Sequence, residues 1–252
     1  VMGLACALIE ALKPFRRTTP YLTLSLPEEK GFVRLIKLQK IPHEEIRQAL
    51  EFQLEEHIPF PPSELYFDYQ VLPVTSQKSE MSIVVTAYPR NIIQTYMDAV
   101  TQAGFTPVVF ELESQAVARA VVPKGNLEAV LVGDIGRTRT TFSIVYKGAV
   151  LFTSTVKIGG RDITAILVDS LHITDAEAFD IKIGRGFDVS SGDIIKSLMP
   201  AITVLKDEAS RQMGFWEHRV DPGDPIISRV YLCGGDAHLK GLPEFLSQEL
   251  GV

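Results

Sequence analysis

Three short stretches carry residue types that can hold a phosphate. In LVGDIGRTRTTFSIV (131–145) an apolar run ends in Asp134-Ile135-Gly136, and two arginines and three threonines follow before the next apolar run. A hairpin that begins Asp-x-Gly can turn several backbone N–H groups toward one point, and its glycine lets an anion come close. An aspartate beside such a nest can hold Mg²⁺ through water, and Arg137 and Arg139 add positive charge. In LCGGDAHLKGL (232–242) a strand ends in two glycines at the start of a helical segment, which offers bare backbone to a flat ligand or a phosphate. IGGRD (158–162) can complete the same pocket. Each stretch taken alone also suits an ordinary turn or a tight β–α connection.

A fourth stretch, EFQLEEHIPFPP (51–62), places Glu55, Glu56 and His57 in succession. Consecutive helical residues point to different sides, and His-Glu-x-x-His is absent, so no metal site is expected there. The following Ile58-Pro59-Phe60-Pro61 is stiff and apolar. It reads either as a partly exposed groove wall for a partner or as a helix-to-strand linker. There is no Gly-x-Ser-x-Gly elbow, the five histidines have no evident partner, and no carboxylates are visibly paired for acid–base work. The sequence therefore assigns no catalytic residue.

The elements that must position these stretches follow from pattern. A helix is predicted over 1–13, with Pro14 and Pro20 bracketing a connection, and strands over 21–27 and 31–39. Ile46, Ala49, Leu50, Gln53, Leu54 and His57 fall at helical spacing, with Pro42 before an acidic first turn and IPFPP forbidding continuation. LYFDYQVLPV and MSIVVTAYP are β-rich, separated by a polar loop at 75–80. A helix over about 90–103 stops at Gly104, followed by a strand (106–112), a short helix (114–122) and a linker at 123–126. Then come three consecutive strands, 128–135, 140–148 and 149–158, with a tight Lys147-Gly148 turn between the second and third. A helix at 163–171 capped by Asp162 follows, and Thr174-Asp175-Ala176-Glu177 has capping-box spacing. A long helix runs from Asp193 to about Trp216, which Pro200 should bend or divide. A strand (227–235) and a helix (241–250) complete the order βββ-α-…-α-β-α, the pattern of one ribonuclease-H-like lobe. The first half begins in a helix, as though its opening strands were removed.

Composition sets outer limits. With 252 residues, 46% hydrophobic and 22% charged, the chain can bury one large domain or two smaller ones. A net charge of −6 without a long basic run argues against nucleic-acid binding. No apolar run approaches the roughly 20 residues of a membrane span. The opening VMGLACALIEALKPF contains Glu10 and no basic leader, so it reads as a helix rather than a signal peptide. Cys6 and Cys233 lie among apolar residues without a CxxC partner and read as reduced core thiols of a cytosolic protein.

Jointly the motifs are more specific. Residues 130–164, LKDEASRQMGFW (205–216) and VYLCGGDAHLKGLPEFLSQELG (230–251) follow in the order of the second lobe of an actin-like ATPase. LPEEKGFVRLIKLQKIPHEEIRQALEFQLEEHIPFPPSELYFDYQVL (26–72) resembles one family within that group, the type IV pilus assembly protein PilM, in which a glutamate-rich helix runs into IPFP and a strand ends in DYQVL. The resemblance extends from about Tyr21 to Val252, and the architecture it implies is similar to that of the cell-division protein FtsA.

The resemblance implies an α/β, actin-like (ribonuclease-H-like) two-lobed fold. Its first lobe (1–122) would be incomplete and carry an inserted small α/β subdomain at about 31–90. Its second lobe (128–252) would carry a small helical insertion at about 163–200. It implies ATP with Mg²⁺ in the cleft: Asp134, Gly136, Arg137 and Thr138 as the second phosphate loop, Gly234, Gly235 and Ala237 against the adenosine, and Glu208 and Arg211 flanking the base or ribose. It implies docking of the N-terminal cytoplasmic peptide of a PilN-like inner-membrane protein, for which Ile58, Pro59, Phe60 and Pro61 are the candidate surface, and contact with pilus motor ATPases. The location implied is cytoplasmic, peripheral at the inner membrane. The reading is of a nucleotide-binding scaffold with no assigned hydrolysis; the alternative is an FtsA-like or other actin-family ATPase that hydrolyses ATP or forms filaments. Two positions depart from the family: Arg139 where a threonine is usual and Thr141 where many have an aspartate. A first phosphate loop, expected in an Asp-x-Gly strand upstream of Val1, and a return segment after Val252 lie outside this sequence, so the chain reads as cut at both ends.

Overall fold

The computed structural model describes residues 1–15, 19–73, 79–187, 192–219 and 223–252. They form two compact units, Val1–Ala116 and Val117–Val252.

In the first unit, α1 (Met2–Leu12) and α3 (Arg90–Gln102) lie with a parallel pair of strands, β1 (Tyr21–Leu26) and β5 (Thr106–Leu112). Leu22 and Leu24 point inward with Leu8, Ile9 and Leu12 onto buried Val100, Ala103 and Phe105, while the alternate residue Tyr21 is exposed, as the two-residue period of a strand dictates. α3 ends where Gly104 takes φ +83° and its N–H donates to the Thr101 carbonyl at 2.9 Å.

Within this unit, residues 32–89 make their own layer pair. β2 (Phe32–Gln39), β3 (Leu65–Val71) and β4 (Glu80–Pro89) form an antiparallel sheet in the order β2-β4-β3, covered by α2 (His43–His57). Ile46, Leu50 and Leu54 repeat every four residues, so they share one face, and they are buried with Ile36, Ile83, Val85 and Ala87. The prolines at 59 and 61 end the helix, and the Arg34 guanidinium donates to the His57 carbonyl at 3.1 Å, a cation at the negative end of the helix dipole. Of the polar connection at 75–80, residues 75–78 lie outside the described residues, and Glu80 already begins β4. Tyr88 on β4 ties this layer pair to the end of β1: its hydroxyl donates to the Leu26 and Pro27 carbonyls at 3.2 and 3.3 Å.

The second unit is a four-stranded sheet in the order β8-β7-β6-β9. β6 (Val130–Ile135), β7 (Thr140–Tyr146) and β8 (Ala149–Val156) are antiparallel neighbours, and β9 (Val230–Cys233) joins β6 in parallel. Lys147 and Gly148 both have positive φ, 53° and 74°, which the two-residue hairpin requires. One face carries Val130, Val132, Val145 and Val150 under Ala118 of α4 (Glu113–Val121). The other carries Phe152 and Tyr146 against Phe215 and Trp216 of α7 (Gly192–Arg219), with ring centroids 4.7 and 5.4 Å apart. α5 (Gly160–Leu171), α6 (Asp175–Gly184) and α8 (Leu242–Leu250) complete the unit.

Four sequence expectations change. α5 starts at Gly160, three residues before the predicted start at 163, because Asp162 accepts the Gly159 N–H at 2.9 Å from within the first turn. α7 is one helix through Pro200 and is not divided there. Pro200 and Lys196, whose carbonyl loses its helical partner, are both exposed, so water can take that carbonyl. β9 is four residues long, ended by Gly234 at φ +91°. Cys6 is exposed on α1 and is not a core thiol, whereas Cys233 is half-buried.

Candidate functional site

The parallel register of β6 and β9 puts Asp134 beside Cys233, so the two loops that leave these strands emerge together. After β6, the Gly136 N–H donates to the Arg139 carbonyl at 2.9 Å and closes a tight turn. The turn then lies along the start of α5: the Gly136 carbonyl accepts the Gly160 N–H at 3.0 Å, and the Arg137 carbonyl accepts the Arg161 N–H at 2.8 Å. A Cβ at Gly159 would sit 2.5 Å from the Arg139 nitrogen, so this backbone-on-backbone contact requires glycine. After β9, Gly234 presses on β6, and a Cβ there would lie 2.4 Å from both the Asp134 Oδ1 and the Ile135 carbonyl oxygen. The Asp236 N–H donates to that same carbonyl at 3.2 Å. Gly235, by contrast, faces open space and is exposed.

The three glycine-bearing stretches named from sequence therefore converge on one place. Arg137 and Thr138 are exposed at its rim, and Ala237 is half-buried, its N–H donating to the Gly234 carbonyl at 3.3 Å. Arg139 is half-buried. Burial alone raises the pKa of Asp134 above the ordinary carboxylate range. The Thr141 hydroxyl is turned to that of Thr155 at 3.1 Å, so at this departure from the family a hydrogen bond joins β7 and β8. The site fits a nucleotide in two respects: the bare Gly235 backbone can receive a flat group, and the exposed Arg137 on the turn after β6 can meet an anion, the first N–H groups of α5 being taken by the turn carbonyls.

Glu208 and Arg211 form a separate cluster. The Glu208 side chain is 7% exposed and accepts from Arg211 at 2.6–3.0 Å and from the Gln212 amide at 2.8 Å, while Arg211, 67% exposed, also reaches the Ser154 hydroxyl at 3.4 Å. Ser154 lies on β8, two strands across from Asp134, and α7 lies on the opposite face of the sheet from the Asp134 carboxylate: Asp134 pairs with Thr141, and Ser154 with the next residue, Phe142.

Sequence reasoning missed one pair. Lys182 of α6, 8% exposed, donates through Nζ to Asp236 at 2.5 Å, to the Gly160 carbonyl at 3.2 Å and to the Thr164 hydroxyl at 3.0 Å. The available signals were a lysine between two isoleucines in a short helix and an aspartate directly after a glycine pair.

In the first unit, Ile58 is 4% exposed and belongs to the α2 core, so it anchors the IPFP segment and is not itself a contact surface. Pro59 and Pro61 are exposed. Phe60 is half-buried, packs on Phe32 with centroids 5.8 Å apart, and lines a pocket of about 310 Å³ with Ser63, Glu64, Pro89, Arg90 and Asn91. The pairing of Leu65 with Pro89 brings these two segments together, and the Arg90 guanidinium rests 4.3 Å over the Tyr66 ring.

An antiparallel three-strand meander, a return strand parallel to the first, and glycine loops meeting where β6 and β9 end define the actin-like class of α/β folds. Two solved structures of MreB5 of Spiroplasma citri share this fold. The one bound to ADP is 15% identical over 97% of this chain and 66% of that chain, with TM-score 0.57. The one bound to AMPPNP is 17% identical over 65% and 58%, with TM-score 0.53. Within that class the chain belongs to the type IV pilus assembly protein PilM family, which matches residues 4–252. A solved PilM–PilN type IV pilus biogenesis complex is 25% identical over 99% of this chain and 73% of that chain, with TM-score 0.77. No helix of the described residues is long and apolar enough to cross a membrane.

Proposed function

We propose that this chain is an adaptor of a type IV pilus inner-membrane platform. Its first unit, with the layer pair at about 31–90, receives the N-terminal cytoplasmic peptide of a PilN-like membrane protein, and its second unit holds ATP with Mg²⁺. The partner would keep it peripheral at the inner membrane. Family membership and the likeness to a PilM–PilN complex support the peptide partner. The Phe60 pocket suits a short segment with apolar and polar side chains, since an aromatic wall faces Arg90 and Glu64.

The observation that carries the nucleotide reading is the meeting of three glycine loops around the open Gly235 backbone. Gly136, Arg137 and Thr138 would meet the phosphates, Asp134 would hold the magnesium shell, and Gly234, Gly235 and Ala237 would receive the adenosine. Glu208 and Arg211, on the other face of the sheet, have no part in holding the ligand in this reading. Bound Mg·ATP would supply a large local charge that these residues orient.

Calorimetry on the full chain tests both parts, with a synthetic peptide of the partner's N-terminus and with Mg·ATP. Phe60→Ala should weaken the peptide roughly tenfold, about 1.4 kcal/mol, and leave Mg·ATP unchanged. If the wild-type chain binds no such peptide, the adaptor reading is wrong.

A further inference from the structure

Asp236 and Lys182 serve neither of the roles given above, yet their side chains, 18% and 8% exposed, form a largely buried ion pair. Asp236 comes directly after the Gly234-Gly235 pair. Its backbone N–H is committed to the Ile135 carbonyl at 3.2 Å, and its carboxylate to Lys182. Lys182 in turn reaches the first turn of α5 through the Gly160 carbonyl and Thr164, and Thr164 itself donates to the Gly160 carbonyl at 2.8 Å. The carboxylate occupies the space that any side chain at position 160 would need: a Cβ there would lie 1.6 Å from Asp236 Oδ2. One ammonium group thus gathers α5, α6 and the turn after β9.

The stitch continues along the same segment. The Lys240 N–H donates to the Lys182 carbonyl at 3.0 Å, the Lys240 ammonium to the Gly184 carbonyl at 3.0 Å, and the Phe187 N–H to the Lys240 carbonyl at 2.7 Å. Three hydrogen bonds therefore join the end of α6 and the residues just after it to the loop 236–241. The flat-ligand surface at Gly235 lies one residue from its fixed point.

We infer that Lys182 and Asp236 are positioning residues for the nucleotide site: their ion pair holds the Gly234-Gly235 turn against β6 and α5 in the shape that accepts the ligand, and it couples that shape to α6. This rests on the nucleotide reading above. A buried pair of this kind does little for net stability compared with an apolar substitute, but loss of one partner strands a charge, so the turn must move to let water reach the other.

Two measurements on the full-length chain test this. Lys182→Met should weaken Mg·ATP binding at least tenfold, and amide hydrogen exchange over 233–241 and 160–164 should accelerate while exchange in β7 and β8 stays as in wild type. Lys182→Arg, which keeps the charge, should restore most of the affinity; a lysine that only fills space would not show that rescue. Asp236→Asn keeps an oxygen acceptor and serves if Lys182→Met does not fold; it should weaken binding by a smaller factor and accelerate the same amides. Unchanged affinity together with unchanged exchange over 233–241 would overturn the inference. If wild type binds no Mg·ATP, the nucleotide reading fails, yet accelerated exchange confined to 233–241 and 160–164 would still establish the latch.

Discussion

Asp134 and Glu208 belong to the same compact unit and lie on opposite faces of its sheet, and they are held in opposite ways. Glu208 is the more buried. Burial acts to raise its pKa, but hydrogen bonds from Ser154, Arg211 and Gln212, with the charge of Arg211, outweigh it and hold the pKa below the usual carboxylate value. Asp134 is only half-buried, yet burial raises its pKa with no donor to offset it. A carboxylate whose lone pairs are already met has little to gain from a ligand. One left with an uncompensated desolvation cost gains from a cation, and such groups concentrate at functional sites. Under the proposed function, the difference gives Glu208 a framework role and makes Asp134 the acid that would face the ligand.

The largest test of this contrast is Glu208→Ala. It removes the acceptor for Arg211 and Gln212 and should cost roughly 2 kcal/mol at neutral pH, the scale of hydrogen bonds to a charged group, measured by urea titration. The sign with pH follows from the lowered pKa. The contribution of Glu208 is complete above its unfolded value and is lost as pH falls through its folded value. Stability curves of wild type and Glu208→Gln should therefore differ at pH 7 and begin to converge as pH falls below the unfolded value of about 4.3. A Glu208→Ala chain as stable as wild type that has lost Mg·ATP binding would reverse the assignment.

Asp134→Asn should do the opposite. A raised folded pKa means that the folded state pays for the ionised group at all pH values above it. Asparagine should thus leave stability at pH 7 unchanged or raise it by roughly 0.5 kcal/mol, as substitutions that relieve a functional strain do. Mg·ATP binding should fall at least tenfold. Marked destabilisation by Asp134→Asn would show that its carboxylate is a structural partner after all.

The smallest effect reads the Asp134 charge in place. Burial, and then the Asp134 carboxylate, push the Cys233 thiol up to about 11, whereas Cys6 is exposed. A thiol-reactive probe at pH 8 should label Cys6 first. Asp134→Asn should then quicken labelling of Cys233 roughly threefold, because a thiolate forms more readily beside a neutral neighbour. An unchanged rate would mean that Asp134 carries no charge in the free protein.

Features set by nearest neighbours were readable in the sequence. The four-residue spacing of Ile46, Leu50 and Leu54 named the buried face of α2, and Lys147-Gly148 named the hairpin, because period and turn chemistry act over a few residues. The three glycine stretches were each visible, but their convergence depends on the parallel pairing of β6 with β9, about 100 residues apart. Lys182 was silent for the same reason: its partner lies 54 residues away, and one lysine in a helix looks like any solvated lysine. Pro200 left a bend or a division open, and the helix is not divided: it gives up one backbone donor there and continues. Cys6 misled because apolar neighbours in sequence on α1 do not place a residue on the buried face of that helix.

The space above Gly160 has a consequence for inheritance. The position tolerates no side chain while the Asp236 carboxylate fills that volume. A lineage that replaces Asp236 by glycine removes the carboxylate that excludes a side chain at 160 and leaves the Lys182 ammonium buried without its counter-charge, which selects a neutral residue there in turn. Positions 160, 182 and 236 should therefore behave in descent as a single three-site character, changing together or hardly at all.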